Sequence, residues 1–466
     1  MQRPFLPDQQ TEQCKIFYAA FRQLARMKLT REQQEVLVLL ERTNKSVFLT
    51  GKAGTGKSTL INSFLAKTRK HVAVLAPTGI AALNVGGCTV HRFCKIGIDR
   101  VKKSDVKRRF DFPTGVETII IDEVSMMRAD LMDVLDWTLR KNMNQSQPFG
   151  GVQMVFVGDM SQLPPVLTKS EETWFNERYN SPYFFSAQVF HDIDVEYCEL
   201  QEVHRQTDKA FVKALNEIRE GTVSTESLSI LNTRIITPAN IPPANALYLA
   251  TRNKEVISYN KACLSALNSP IKNFAATISG DVKQNEFPVP ETLELAIGAR
   301  VMMKVNAVKF ANGTCGTLQA FYKDEETGLD FLRIKLDNEE TVDVFRHTWE
   351  KVAYSNASGD DFEKHVTGSF TQFPVKLAWA ITIHGSQGQT FDTAVVDLGS
   401  SVFAHGQTYV ALSRLRTLQG LFLMRPVIAQ DLIFDKRIEQ AKTLNRVSTK
   451  SVSTQNLNEE NDELPF

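Results

Sequence analysis

The sequence GKAGTGKS at Gly51–Ser58 follows the apolar run 47–49. It matches the phosphate-loop pattern G-x-x-x-x-G-K-[ST] without a gap and predicts a buried strand, a glycine loop and then a helix. The glycines let backbone N–H groups surround phosphate oxygens, Lys57 brings a charge to the outer phosphates, and the Ser58 hydroxyl can ligate magnesium. The candidate nucleotide-binding residues of this stretch are Gly51, Gly54, Thr55, Gly56, Lys57, Ser58 and Thr59.

A second stretch, IIIDEVS, places two acids after a predicted buried strand at residues 119–121. Ligands of parallel sheets bind at the carboxyl ends of the strands, so Asp122 and Glu123 are expected to face the nucleotide. We expect Asp122 to hold Mg²⁺ and Glu123 to orient and deprotonate the attacking water. On its own, such an acidic pair is more often a solvated turn.

A third stretch, VFVGDMSQLPPV at residues 155–166, favours the catalytic interpretation of that acidic pair. It places the neutral amide of Gln162 at another strand end, where it could contact the γ-phosphate. The two prolines at 164 and 165 stop regular structure and fix the loop. The three stretches together predict an ATP-hydrolysing α/β protein.

Bulk properties limit the partners of the chain. A length of 466 residues with 42% hydrophobic content predicts two large domains with insertions. The net charge is +1, from 54 basic and 53 acidic side chains, so any DNA must be held in a local groove rather than by a global field. The six cysteines show no zinc spacing and indicate reduced thiols. No signal peptide or membrane-spanning run is found, so we expect a cytoplasmic protein.

The pattern along the chain predicts two α/β domains with insertions. A strand at 195–197 is expected to open the second domain, and alternating apolar residues from Val301 onward, broken by turns, predict a small inserted β-barrel. For the basic residues between 95 and 113, a solvated loop and a DNA contact are equally supported. The predicted units are a helical arm at 1–28, a first domain at 29–94 and 114–190, its insertion at 95–113, a second domain at 191–298 and 376–445, its insertion at 299–375, and a disordered acidic tail at 446–466.

The ordered set of stretches resembles the superfamily 1 DNA helicases, most closely the Pif1 type, which is related to the RecD and Dda helicases. The resemblance covers residues 29–426, and the predicted helix at 126–142 resembles the signature segment of the Pif1 type. It implies two RecA-like P-loop motor domains, with a wedge insertion in the first and an SH3-like β-barrel insertion in the second. The implied activity is ATP- and Mg²⁺-dependent movement on single-stranded DNA, 5′ to 3′, by a monomer that unwinds forked or structured DNA in the bacterial nucleoid during replication, recombination or repair.

The resemblance also assigns roles at the nucleotide. Gln33 matches the adenine-reading glutamine and Gln162 the phosphate sensor. Phosphoryl transfer needs positive charge on the γ-phosphate side, which a single phosphate-loop domain rarely supplies in full. Arg205 in VHRQ and Arg414 in ALSRLR match the arginines that the facing domain contributes. Closure of the two domains around ATP is then expected to complete the catalytic site, and reopening after ADP release to drive directed steps along DNA.

For DNA, hydroxyls and backbone groups are expected to hold phosphates, and histidine or phenylalanine to stack on bases. His91 and His384, taken alone, are more typical of buried core histidines, and their sequence neighbours favour the DNA interpretation. One departure from the family concerns Gly385, because relatives usually carry a lysine between the His and Ser of H-x-S-Q-G. The contact at that point is expected to be weaker or supplied elsewhere. The candidate DNA-binding residues are Pro77, Thr78, His91, Phe93, Thr382, His384 and Ser386.

The last nine residues, NEENDELPF, resemble the acidic tip of bacterial single-stranded-DNA-binding protein. A terminal phenylalanine with its carboxylate suits an apolar pocket with a basic rim. Leu464, Pro465 and Phe466 are therefore candidate contacts to partners that recognise that tip. A solubilising acidic tail is an equally supported interpretation.

Two other classes of function compete with a helicase. A DNA-stimulated ATPase could remodel protein–DNA complexes without separating strands, and a switch-type nucleoside triphosphatase could only bind partners. The switch gives no reason for paired arginines in a second domain, so it ranks last. ATP turnover with and without single-stranded DNA, followed by fork unwinding, separates the three.

Overall fold

The computed structural model describes residues 29–96, 102–202, 208–307, 309–310, 312–325, 328–355 and 363–443. The predicted helical arm, Arg205 and the acidic tail with Leu464, Pro465 and Phe466 lie outside these ranges.

The first lobe is built on a six-stranded, fully parallel sheet. All six residues of its first strand are buried, as expected for a parallel sheet covered on both faces. The sheet order is β3-β2-β4-β5-β1-β6. Its strands are β1 (Ser46–Gly51), β2 (Val72–Ala76), β3 (Cys88–Thr89), β4 (Thr118–Ile121), β5 (Gln153–Val157) and β6 (Val195–Leu200).

The helices of this lobe begin and end at residues that favour such ends. The first follows Thr30, which forms a capping box with Gln33, the residue expected to read adenine. The second begins directly after the phosphate loop. The helices are α1 (Arg31–Arg42), α2 (Lys57–Lys67), α3 (Gly79–Asn84), α4 (Val90–Cys94), α5 (Ala129–Met143) and α6 (Lys169–Asn176).

The second lobe holds a four-stranded parallel sheet in the order β18-β7-β19-β20. Helix α7, which ends at a left-handed Gly221, packs its apolar face into the core of this lobe. The strands are β7 (Leu247–Ala250), β18 (Ala380–Thr382), β19 (Ala394–Val396) and β20 (Leu421–Leu423), and the helices are α7 (Lys209–Glu220), α8 (Thr225–Asn232), α9 (Asn253–Ser265) and α10 (Gln407–Ser413).

A β-rich insertion separates α9 from β18, and all of its strand pairs are antiparallel. It forms sheets of five strands (β14-β13-β12-β11-β17), three strands (β15-β16-β9) and two strands (β10-β8). The strands are β8 (Lys272–Ala275), β9 (Thr277–Gly280), β10 (Thr292–Leu295), β11 (Arg300–Met303), β12 (Cys315–Lys323), β13 (Asp330–Leu336), β14 (Thr341–Phe345), β15 (His347–Ser355), β16 (Glu363–Gln372) and β17 (Val375–Leu377).

Two predicted domain boundaries are wrong. β6, expected to open the second domain, pairs along its whole length with β1 of the first sheet. The insertion, expected at 299–375, already includes β8, because β8 pairs with β10 and the following β9 pairs with β16. The local sequence pattern predicts neither pairing. The strand that β6 pairs with is distant in sequence, and β8 and β9 are largely exposed, so they lack the apolar pattern of a buried strand.

The insertion also rests on the first lobe. The Tyr354 hydroxyl of β15 accepts a hydrogen bond from the backbone N–H of Val74 in β2 at 3.1 Å, and both groups are buried. The Arg92 guanidinium of α4 pairs with Asp281 after β9 at 3.1 Å. The insertion therefore bridges the lobes above the segment predicted to grip DNA.

In the predicted wedge, residues 102–113 carry one short 3-10 turn at Lys103–Asp105 and a 99% exposed Phe110.

Within the described ranges, no helix has the length and apolarity needed to cross a bilayer. The cysteines of those ranges are all free thiols, in agreement with the sequence-based prediction.

Candidate nucleotide and nucleic-acid site

The phosphate loop joins β1 to α2 through glycines that have left-handed or otherwise positive φ angles. Gly56 has φ 81°, and a Cβ there would lie 2.5 Å from the Gln33 Nε2. Lys57 Nζ donates to the carbonyl of Gly51 at 2.7 Å, and Ser58 is exposed one residue into α2. The glycine loop thus leads from β1 into the N-terminus of α2, the arrangement that the sequence predicts and that is typical of anion sites.

Gln33 lies beneath this loop and is 5% exposed. Its Nε2 donates to the Thr55 carbonyl at 3.2 Å, and its Oε1 accepts from the Thr30 N–H at 3.0 Å. The side chain therefore fixes the loop from below. Any contact with adenine comes in addition to these two bonds.

Asp122 and Glu123 follow β4 at the carboxyl edge of the sheet, as predicted. Glu123 has φ 50° and ψ 42°, a left-handed conformation that costs a non-glycine residue on the order of 1 kcal/mol or more and is typical of functional sites. Its N–H donates to Asp122 Oδ1 at 3.0 Å. Burial raises the pKa of both acids. For Glu123, burial and the neighbouring Asp122 raise the pKa to about 7, against the opposing charges of Lys57 and Arg414.

The sensor loop, defined here as residues 158–163, follows β5. Gln162 is 8% exposed, and its Nε2 donates to Asp159 Oδ2 at 3.5 Å. Burial alone would raise the pKa of Asp159, yet Arg219 and Lys57 outweigh burial and hold that pKa below its usual range. Gln162, the predicted phosphate sensor, thus contacts a buried carboxylate whose lowered pKa favours its ionised form.

Arg414, at the end of α10, is 1% exposed and reaches the cleft from the second lobe. Its Nε donates to the Val410 carbonyl at 2.9 Å, and its Nη2 to the Ser413 hydroxyl at 3.1 Å. Among the residues that the structure describes, no carboxylate lies within ion-pair distance of it. Burial lowers its pKa, opposed by the charges of Tyr409, Glu123 and Asp159. Arg414 and Glu123 thus influence the pKa of each other across the cleft, while Arg205 falls outside the described residues.

Three contacts between the lobes were missed by sequence reasoning. The Tyr409 hydroxyl of α10 accepts from the Ala53 N–H of the phosphate loop at 3.2 Å. His405 Nε2 donates to the Met160 carbonyl of the sensor loop at 3.1 Å. Arg219 of α7 pairs with Asp159 at 3.4 Å. These partners are 60 to 356 residues apart in sequence, so no local pattern reveals them.

Breaking the Arg219–Asp159 pair has a predictable cost. Arg219 is 11% exposed and the Asp159 side chain 0%, so Arg219→Met leaves a buried charge without its main partner. We expect the free energy of unfolding to fall by about 3 kcal/mol, and by less in the double variant with Asp159→Asn. Urea denaturation followed by fluorescence measures this. Arg437→Met, which removes the partly exposed Arg437–Asp435 pair, should cost at most about 1 kcal/mol. Equal losses in the two single variants would contradict this assignment.

The first-lobe DNA candidates differ in how accessible they are to a DNA strand. Pro77 and Thr78 follow β2 at the carboxyl edge and are at least partly exposed. His91 is half-buried, and burial is the main cause of its lowered pKa, with Arg128 adding to it and Asp130 opposing. Phe93 is a wrong prediction for base stacking, because it is 4% exposed and packs edge-on against Phe112. Its aromatic ring belongs to the core.

In the second lobe, Thr382 ends β18, and its hydroxyl accepts from the Gly385 N–H at 2.9 Å. His384 is half-buried, which lowers its pKa. Ser386 is fully buried and donates its hydroxyl to the Ile383 carbonyl at 2.6 Å. Its predicted hydroxyl contact to DNA is therefore wrong for this conformation, because that hydroxyl shapes the loop instead.

Comparison with known proteins gives a consistent family. The family model "PIF1-like helicase" matches residues 28–228. The chain is similar to an ATP-dependent DNA helicase Pif1 of Bdellovibrio bacteriovorus, with 31% identity over 88% of this chain and 93% of that protein. It is also similar to the mouse ATP-dependent DNA helicase PIF1, with 34% identity over 84% of this chain. It spans 59% of the mouse protein's length.

Solved structures agree. A Bacteroides Pif1 in complex with ADP-AlF4 is 34% identical, with a TM-score of 0.81 over 90% of this chain and 100% of that one. A Bacteroides Pif1 in complex with ADP-AlF3 and single-stranded DNA is 34% identical, with a TM-score of 0.65 over 90% of this chain and 97% of that one. The parallel sheets, the phosphate loop and these similarities lead to one conclusion: the chain belongs to the PIF1-like helicase family.

Proposed function

We propose that this protein is an ATP-dependent DNA helicase that moves on single-stranded DNA. The observation that carries the proposal is the cleft itself, where Glu123 and Arg414, from different lobes, each shift the pKa of the other, and Arg414 is a buried cation with no carboxylate partner in the described ranges. Such an arginine is suited to the charge that develops on a transferring phosphoryl group. Because Arg414 and Glu123 belong to different lobes, hydrolysis is coupled to the relative position of the lobes.

ATP is the proposed nucleotide and Mg²⁺ its metal. The exposed Ser58 hydroxyl and the Asp122 carboxylate are hard oxygen donors, and magnesium typically binds through one or two such protein groups together with phosphates and water. The metal supplies charge neutralisation at the outer phosphates. Lys57 adds a fixed positive charge, Gln162 orients the γ-phosphate, and Glu123 takes the proton from the attacking water. Gln33 reads adenine, and Arg205 joins Arg414 as a second arginine from the facing lobe.

The DNA path runs along the carboxyl edges of the two sheets. Pro77, Thr78 and His91 hold the strand from the first lobe, and Thr382 and His384 hold it from the second. The insertion, an SH3-like unit in this proposal, caps the channel, since Tyr354 and Asp281 dock it above the first-lobe segment. Residues 95–113 form the wedge.

A paired-overhang experiment tests the proposed function and its 5′ to 3′ direction. Two duplexes of identical sequence carry a single-stranded tail at either the 5′ or the 3′ end. With ATP and Mg²⁺, strand separation is expected on the 5′-tailed duplex and on forks, and to be lower on the 3′-tailed duplex. ATP turnover that single-stranded DNA stimulates, without separation of any duplex, would instead favour an ATPase that remodels protein–DNA complexes.

Three further features belong to this proposal. The protein acts as a monomer, and its place is the nucleoid of a bacterial cytoplasm. Leu464, Pro465 and Phe466 dock on proteins that recognise the acidic tip of single-stranded-DNA-binding protein. Support for that docking comes from the sequence of the last nine residues alone.

A further inference from the structure

Two lysines lie close together at the five-stranded insertion sheet. Lys376 of β17 pairs directly with Met302 of β11, so their side chains share a face. Lys304 directly follows β11, two residues after Met302, and lies close enough to Lys376 for its charge to lower the pKa of Lys376. Met302 and Cys315 on this face pack into the core of the second lobe. Both ammonium groups thus lie where the insertion meets that lobe.

Neither lysine is neutralised by the protein. Lys304 is 7% exposed and Lys376 is half-buried. No side-chain hydrogen bond or ion pair joins either of them to another residue in the part of the chain that the structure describes. Burial lowers the pKa of both, and for Lys376 burial together with the like charge of Lys304 lowers it to about 7, against the Cys315 thiol. Two neighbouring lysines that burial makes costly to charge, and that no described carboxylate offsets, would both be stabilised in their charged form by a bound anion.

Lys376 lies next to the loop at residues 382–387. A Cβ built on Gly385 would lie 3.9 Å from Lys376 Nζ and 3.0 Å from the Thr382 hydroxyl. The absence of a side chain at Gly385 therefore leaves Lys376 next to the loop backbone. In the same loop, Gln387 Nε2 is a buried donor without a partner among the described residues.

We propose that Lys304 and Lys376 bind a backbone phosphate of single-stranded DNA, and that Lys376 supplies the cation at the position where Gly385 has no side chain. The inference rests on the proposed function and adds a phosphate site to it. DNA is the favoured source of the phosphate because Thr382 and His384, on the same loop, are placed to hold the adjoining nucleotide. Lysine binds phosphate as a point charge, so the site is indifferent to base sequence.

The test is the salt dependence of DNA binding. Fluorescence anisotropy with a labelled oligothymidine, measured over a series of KCl concentrations, gives the slope of log K against log[salt]. Lys376→Met is expected to weaken binding several-fold and to reduce the slope by about 0.7, the value for one phosphate contact on a single strand. Lys376→Arg keeps the charge and should keep the slope. Lys45→Met removes a charge near the amino end of β1 and should leave the slope unchanged.

A charge relocation sharpens the test. Gly385 is not among the glycines with positive φ, so its backbone accepts a side chain once the Thr382 hydroxyl moves by a few tenths of an ångström. A lysine at 385 can bring its ammonium to the place that Lys376 occupies. Gly385→Lys combined with Lys376→Met is therefore expected to recover the wild-type slope, whereas Gly385→Met combined with Lys376→Met should not.

The outcomes separate this inference from the proposed function. A wild-type protein that binds single-stranded DNA with the same slope as Lys376→Met contradicts the inference alone. A second contradicting outcome is that inorganic phosphate raises the melting temperature of the wild type but not of Lys376→Met, while the two proteins show equal slopes for DNA. The two lysines would then bind free phosphate rather than DNA. A wild-type protein that fails to bind single-stranded DNA contradicts the proposed function, and the inference with it.

Discussion

Glu123→Gln is expected to slow ATP hydrolysis by about 10²- to 10⁴-fold while ATP binding is retained, because the amide cannot take the proton from water. Glu123 lies at the carboxyl end of β4 beside Asp122, in a strained backbone conformation. The measurement is steady-state turnover together with equilibrium binding of a labelled ATP analogue. Glu117→Gln, an exposed acid at the amino end of the same strand, is the matched control and should keep its activity.

ATP turnover is also expected to depend on pH through Glu123. Burial and Asp122 raise the pKa of Glu123 to about 7, and the base works only when it is deprotonated. Turnover should therefore be full above pH 8 and fall as the pH drops through 7, whereas a glutamate with its ordinary pKa of about 4.3 would give a flat profile there. A flat profile between pH 6 and 8, or near-normal turnover in Glu123→Gln, would show that another group is the base.

Arg414→Met is expected to reduce the turnover number by about 10³- to 10⁵-fold with little change in ATP affinity, since an arginine of this kind acts mainly on the transition state. No ion pair with a described residue is lost, because the guanidinium is held by carbonyl and hydroxyl oxygens. The melting temperature should therefore change far less than the rate.

Arg416 provides the control for Arg414, because it lies two residues further along the chain. Its side chain is 59% exposed and pairs with an exposed Asp392. Arg416→Met should retain wild-type turnover. If the two variants lose activity equally, or if Arg414→Met loses ATP binding and stability together, Arg414 is a structural residue rather than a catalytic one.

The sequence predicted where the candidate site residues lie along the fold better than the contacts that hold the site together. Gly51–Ser58, Asp122 and Gln162 occupy strand ends as expected, because a phosphate loop and strand-end acids depend on local patterns. The capping box of α1 likewise involves Thr30 and Gln33, which are three residues apart in sequence. Those parts of the fold and of the site could be derived residue by residue.

The wrong predictions concern contacts between distant segments. Phe93 reads as an exposed aromatic in sequence, yet Phe112 and Tyr354 bury it, and Tyr354 comes from the insertion. The sequence predicts β6 as the start of the second domain, yet in the structure β6 pairs with β1 at the edge of the first sheet. Ion pairs such as Arg219–Asp159 have no signature in either partner's neighbourhood.

The most direct test of the account is a crystal structure of the protein with ADP, aluminium fluoride and Mg²⁺. Glu123 and Arg414 are expected to approach the same transferring group from opposite lobes. An Arg414 guanidinium nitrogen is expected at hydrogen-bond distance, about 2.7–3.2 Å, from the fluoride that mimics the γ-phosphoryl oxygen. An Arg414 that stays within its own lobe, separated from the fluoride by water or by more than about twice that distance, would contradict it.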